Sequence, residues 1–168
     1  MKREMLLVVD VQNGFVKEGT VFVVPRILSL LDQNRFEIVA FTQFYNPSGG
    51  PYERFLDWTN LSTSSEQEIV ASLRNYAQLV FRKSVYSALT QDFRSFLKEK
   101  KIETVHLAGI DTDCCILSTA IDLFQIGIRP VVLIDLCASN GGAESHAAAL
   151  RVMERAIGCK QIVKGSDF

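Results

Sequence analysis

The sequence predicts an α/β fold: a three-layer α/β/α, Rossmann-like domain on a parallel sheet of about six strands. Three observations lead there. Short apolar runs rich in β-branched residues recur without a polar residue at every second place, the pattern of strands buried on both faces. Segments with helical spacing of apolar residues lie between them, and such alternation gives a parallel sheet joined by right-handed crossovers. The 168 residues amount to a single domain, 1–168, and 48% hydrophobic with 22% charged residues suits a compact globule rather than a disordered chain.

The first strand spans residues 5–10. A helix follows Pro25, with Ile27, Leu28 and Leu31 on one stripe, and a second strand covers 38–43. Residues 46–65 break the alternation. Pro47, Gly49, Gly50 and Pro51 precede a polar and aromatic stretch around Trp58, readable as a surface loop or as a pocket wall. Helical spacing returns at Ile69, Val70, Leu73 and Ala77, before a third strand at 79–81. Phe93, Phe96 and Leu97 mark the next helix and 105–110 the fourth strand. Leu117, Ile121 and Phe124 then form a helical stripe, 131–136 a fifth strand, Ala147, Leu150, Met153 and Ile157 the last long helix, and 161–164 a short sixth strand.

Eighteen Lys and Arg against nineteen Asp and Glu leave a net charge of -1, so nothing argues for nucleic acid or an anionic membrane; the expected partner is a small-molecule substrate. The apolar run 5–9 is too short for a signal-peptide core or a membrane span, which points to the cytoplasm. The four cysteines, at 114, 115, 137 and 159, form no CxxC pair, so free thiols in a reducing compartment are expected.

In doubly wound sheets, ligands gather beyond the carboxyl ends of the strands, where strand order reverses. Asp10 ends the first strand with Gln12 just beyond; Lys83 follows the third; Asp111, Thr112, Asp113, Cys114 and Cys115 follow the fourth. A carboxylate, an amine and a thiol can make a base, a cationic stabiliser and a nucleophile. Each also has a plainer reading. Asp10 could bond backbone in a turn, Lys83 could be a solvated loop lysine, and Thr112 or Asp113 could cap the next helix. A cysteine at a helix N-terminus near a lysine should have its thiolate stabilised, but cysteine is also a common small core residue. Cys114 shares a stripe with Leu117, Ile121 and Phe124 while Cys115 is offset by one, which favours Cys115 as the freer thiol.

Three stretches together resemble the isochorismatase-like cysteine hydrolases, the superfamily that includes nicotinamidase and N-carbamoylsarcosine amidase. "LLVVDVQNGF" resembles the family's strand ending in Asp-x-Gln. "FRKSVYSAL" resembles its Lys-x-x-Tyr-Ser-Ala-Phe segment, and "AGIDTDCCILSTA" its Gly-Ile-x-Thr-Asp-x-Cys block. The resemblance implies a triad of Asp10, Lys83 and Cys115, a cis peptide between Ile110 and Asp111, and an oxyanion hole from the backbone amides of Asp111 and Cys115. It implies C–N cleavage of a small amide or carbamoyl compound through a Cys thioester, with no cofactor, in a dimer or tetramer. Where nicotinamidases carry a metal-binding Asp-x-His, this chain has Phe44 and Asn46, so no metal is expected; His106 and His146 read as structural. Gln12, Phe15, Tyr45 and Trp58 are candidate pocket residues. Cys115 argues against the vinyl-ether chemistry of isochorismatases, which lack that nucleophile. The rival readings are a non-catalytic binding or interaction module and a nucleotide binder. The latter lacks support, because neither GxGxxG nor GxxxxGK[ST] follows the first strand.

Overall fold

The computed structural model describes residues 3–167, and all its strands belong to one parallel sheet. The strands are β1 (Glu4–Val9), β2 (Ile38–Phe44), β3 (Val80–Lys83), β4 (Thr104–Ile110), β5 (Arg129–Ala138) and β6 (Ile162–Val163), in the spatial order β3-β2-β1-β4-β5-β6. The helices are α1 (Val23–Asp32), α2 (Pro51–Leu56), α3 (Ser64–Gln67), α4 (Gln91–Glu99), α5 (Leu117–Gln125) and α6 (Gly142–Ile157).

Two-sided burial explains the runs of apolar residues. Along β1, Met5, Leu7 and Val9 face one core, with Phe93 and Leu97 of α4, Ala120 and Leu123 of α5, and Met153 and Ile157 of α6. Leu6 and Val8 point the other way, to Val23, Ile27, Leu30 and Leu31 of α1 and to Leu73. A strand with water on neither face has no position at which alternation would help it.

The expected alternation fails in one place. Residues 69–77 are not a helix: Ile69 pairs with Gln12 as an antiparallel bridge, the Val70 amide donates to the Val11 carbonyl at 3.1 Å, and only Ala71–Tyr76 coils, as a tight 3₁₀ segment. The backbone there is committed to the chain beyond β1, and that pairing overrides the helical spacing. The apolar stripe expected of α5 is also rotated. Leu117 and Ile121 are half-buried and Phe124 is 51% exposed, while Thr119, Ala120 and Leu123 face the sheet. β3 runs to Lys83 rather than stopping at Phe81, so Lys83 is the last strand residue and not the first of a loop.

Residues 46–65 are ordered by local signals. Pro51 sits at the start of α2, and Asp57 ends it in the left-handed region, at φ 52°. Thr63 and Glu66 form a reciprocal capping box on α3, and Asn46 Nδ2 donates to the carbonyls of Trp58 (2.9 Å) and Asn60 (3.2 Å). Among the described residues no helix is long and apolar enough to cross a membrane.

Candidate active site

From the β1–β4 pair the strand order runs outward in both directions, so the carboxyl ends of these two strands mark the point of reversal. Gly109 allows the two strands to close up: its φ is 131°, and a Cβ there would lie 2.1 Å from the Val9 carbonyl oxygen. Asp10 and Asp111 follow directly.

Asp10 is fully buried, with a φ of 51°. Its amide donates to Thr42 Oγ1 at 3.1 Å, and that hydroxyl donates back to Asp10 Oδ1 at 2.6 Å. The other carboxylate oxygen lies 2.6 Å from Lys83 Nζ, in an ion pair whose side chains are 0% and 1% exposed. Lys83 Nζ also donates to the carbonyls of Val85 and Tyr86, both at 3.0 Å, lies 3.4 Å from Cys115 Sγ, and sits 5.2 Å from the centre of the Phe44 ring. An ammonium has three protons, and the two carbonyls and the Cys115 sulfur accept them, with the Asp10 carboxylate as the ion-pair partner. Burial works against the charge, but Asp10 and Cys115 outweigh it and hold the Lys83 pKa above its ordinary value. Lys83 is therefore held as a cation between the Asp10 carboxylate and the Cys115 thiol.

Cys115 lies in a wide turn, Thr112–Ile116, where the amides of Ile116 and Leu117 reach back five residues to the carbonyls of Asp111 and Thr112. The Asp111 carbonyl also accepts from Cys114 at 3.2 Å, so its partners are the amides on either side of Cys115. The Ile110–Asp111 peptide is cis. Cys115 is only 4% exposed yet lines the cavity, while Cys114 is half-buried; the freer-thiol argument from the helix stripe is corrected, because α5 turns its other face to the core. The expectation of a stabilised thiolate is corrected as well. Burial first, and then the Asp10 carboxylate, push the Cys115 thiol well above its ordinary range, against the opposing pull of Lys83. At rest Cys115 is therefore a neutral thiol.

The cavity above the thiol measures about 300 Å³, at the small end of ligand pockets. Phe15, Phe44, Tyr52, Trp58 and Tyr86 supply its aromatic walls, and Asp111, Asn140 and Asn60 its polar ones. Phe15 and Trp58 stack at 5.9 Å and 18°, and Tyr52 meets Phe44 and Tyr86 edge-on at 5.2 and 5.1 Å. Burial raises the phenol pKa of both tyrosines, so each stays protonated. Asp111 Oδ1 accepts from the Asn140 amide at 2.7 Å and from Asn140 Nδ2 at 2.9 Å, and Asn140 Nδ2 also donates to the Phe15 carbonyl at 3.0 Å. Burial pushes the Asp111 carboxyl up to about 6 despite these bonds.

The structure thus brings Asp10, Lys83, Cys115, Asp111, Phe15 and Trp58 together, but not all the candidates. Gln12 is a correction: it is fully buried, donates through Nε2 to the carbonyls of Phe44 and Gln67 (2.8 Å each), and accepts from the Phe44 amide at 2.8 Å. It pins β2 to the end of α3 instead of facing the cavity. Tyr45 is another, since its neighbour Phe44 points inward and Tyr45 lies under the Arg82 guanidinium at 4.7 Å. Neither Thr112 nor Asp113 caps a helix. Thr112 Oγ1 bonds His146 Nδ1 at 2.8 Å and Asp113 accepts from Ser139 Oγ at 2.5 Å, tying the turn to β5 and α6. His106 faces Glu4 at 3.0 Å. At the metal-ligand positions of nicotinamidases stand an apolar ring, Phe44, and an amide bonding backbone, Asn46, and among the described residues no three His, Cys, Asp or Glu cluster as ligands. These residues do not fit a metal ion.

Sequence reasoning missed Tyr52, Tyr86, Asn140 and the Asp111 side chain. Tyr86 lies in one of the resembling stretches and Asn140 just beyond β5, where the strand-end rule reaches; Tyr52 left no local signal.

Known proteins resemble the chain in both sequence and structure. An isochorismatase domain model matches residues 4–162. A nicotinamidase of Acinetobacter baylyi is 30% identical, over 84% of this chain and 85% of that protein. An isochorismatase-like hydrolase from Alkaliphilus metalliredigens superposes with a TM-score of 0.86 at 22% identity, covering 98% of this chain and 96% of that one. An N-carbamoylsarcosine amidase from Thermoplasma acidophilum gives a TM-score of 0.84 at 24% identity, covering 100% and 98%. At such identities the two structures speak to the fold.

Proposed function

The chain belongs to the isochorismatase family of hydrolases, and on that footing we propose that it cleaves a C–N bond of a small amide or carbamoyl compound, with Asp10, Lys83 and Cys115 as the catalytic triad. The observation that carries this reading is the contact of all three groups behind the cavity that Cys115 lines: Lys83 Nζ is 2.6 Å from Asp10 and 3.4 Å from Cys115 Sγ. Neutral-thiol chemistry follows from the burial of the site. Asp10 takes the thiol proton as Sγ attacks the carbonyl carbon, so no free thiolate has to persist in a dry pocket. The oxyanion then lies beside the amides of Asp111 and Cys115, where one such donor is worth roughly 2.7–4 kcal/mol. Protonated Asp10 returns the proton to the leaving nitrogen, which departs as the amine and leaves a Cys115 thioester. Water, deprotonated by Asp10, attacks the thioester; the acid leaves and the proton returns to sulfur. Lys83 keeps its proton throughout and offsets the negative charge of Asp10 or Cys115, whichever carries it.

The likeness to a nicotinamidase makes nicotinamide a natural trial substrate. Phe44 and Asn46 weigh against it, because a pyridine nitrogen held by a metal has no counterpart among these residues. The test is ammonia or amine release from a panel of small primary amides and ureido compounds. Cys115→Ala is expected to lower release by at least about a thousandfold while leaving the melting temperature near that of wild type. Turnover that survives Cys115→Ala overturns the reading.

A further inference from the structure

We propose that the substrate of this site carries a positive charge, and that Asp111 with the surrounding aromatic rings selects it: an amide or carbamoyl compound bearing an ammonium group. The inference rests on the hydrolase reading and adds to it the class of substrate.

The cavity is lined by five aromatic residues, with Asp111 as the one acidic residue among its walls. Phe15, Phe44, Tyr52, Trp58 and Tyr86 line it, and aromatic faces attract cations through the negative charge of their π surfaces. Phe44 already faces one cation, Lys83, at 5.2 Å. The two bonds from Asn140 both end on Asp111 Oδ1, and no hydrogen bond among the described residues ends on Oδ2. Asn140 is itself tied to the Phe15 carbonyl, so the carboxylate and one aromatic wall hold a fixed relation to each other. The carboxylate is thus oriented through one oxygen and free to bind through the other.

The charges around the cavity agree. Asp10 and Lys83 cancel as a buried pair. The thiols of Cys114 and Cys115 are raised by burial and stay neutral, as do the phenols of Tyr52 and Tyr86. Asp113 lies two residues from Asp111, held by Ser139, and burial keeps the neighbouring His146 below its ordinary pKa. Lys17 is the opposing charge, and it is exposed at the rim. The field that a small ligand meets is therefore negative. Because burial raises the Asp111 carboxyl to about 6, a bound cation that favours the ionised form is held above that pH and released below it.

A matched pair of amides tests this. Trimethylammonioacetamide and 3,3-dimethylbutanamide have the same shape and differ in one atom, quaternary nitrogen against carbon, and hence in charge. Binding is followed by the emission of Trp58, the chain's single tryptophan, and by calorimetry. The cation is expected to bind at least about tenfold more tightly at about pH 8, although its isostere is the more hydrophobic of the two. Asp111→Asn should shrink that preference to less than about threefold, and in wild type it should fall away as the pH drops from about 8 to about 5. The wild-type pH series stands by itself if the variant folds poorly. Equal or tighter binding of the neutral amide, no binding of the cation, or a preference that survives both Asp111→Asn and acid overturns the proposal. Binding does not require turnover, so the two readings fail separately. A cation preference without Cys115-dependent hydrolysis removes the chemistry and keeps the recognition; hydrolysis of neutral and cationic amides alike does the reverse.

Discussion

Asp10 and Asp111 each stand one residue beyond a strand end, on β1 and β4, which pair directly. Around Asp10 the protein closes completely: Thr42 takes one oxygen, Lys83 pairs with the other, and the residue is 0% exposed. Around Asp111 it closes by half: Asn140 holds one oxygen, no hydrogen bond among the described residues ends on the other, and the residue lines the cavity. The same side chain at equivalent places in neighbouring strands is thus committed in one case to an internal cation and in the other to whatever enters. A carboxylate whose partner is built in is held in one place and one orientation. One whose partner must arrive can discriminate between arrivals.

The sharpest way to break that contrast is to remove Asp10. Asp10→Ala leaves the Lys83 ammonium buried without its carboxylate, and should cost about 3–5 kcal/mol in urea unfolding. Lys83→Met in the same chain should restore much of the loss, because the unpaired charge goes with it. If Asp10→Ala unfolds at the wild-type midpoint, the pair is not closed and the contrast with Asp111 disappears.

Thiol reactivity comes next in size. With its proton held by burial and by Asp10, Cys115 should react with iodoacetamide at neutral pH at least about tenfold more slowly than exposed Cys159, as resolved by peptide mass spectrometry. Faster labelling of Cys115 than of Cys159 would mean that the pull of Lys83 outweighs burial and that the thiol is ionised at rest.

The smallest effect lies on the open side. Asn140→Ala removes one of the bonds that lower the Asp111 pKa, so the carboxyl should titrate higher than about 6, by less than about one unit. Carbon NMR of the carboxyl, assigned through Asp111→Asn, reads the shift directly. A downward movement would mean that Asn140 does not hold the ionised form.

Much of this was legible in the chain. β1, β2, β4 and β5 announce themselves because burial on both faces demands continuous apolar residues, and Asp10, Lys83 and Cys115 stand in stretches whose resemblance to a family is plain. What stayed hidden depends on partners distant in sequence. The helical spacing at Ile69–Ala77 gave no hint that the backbone there pairs with residues 11 and 12. Gln12 reads as a pocket residue until Phe44 and Gln67 appear around its amide. The face that α5 buries could not be decided by an apolar stripe when Ala120 and Thr119, small and undistinguished, are the residues that fit against the sheet. The thiolate expectation failed for a related reason: a helix terminus and a lysine are visible in sequence, but the depth of burial that outweighs them is not.

The pairing of β1 with β4 sets Glu4 opposite Thr104 and Val9 opposite Gly109. A chain emerging from the ribosome carries Asp10 early and waits for most of its length before the partner strand, and Cys115 behind it, can arrive. Contacts this far apart form late, since the intervening loop must be closed before they repay its entropy. No nascent fragment that stops short of residue 115 holds all three of Asp10, Lys83 and Cys115. Cys115 is therefore made last among the three proposed triad residues, after Asp10 and Lys83.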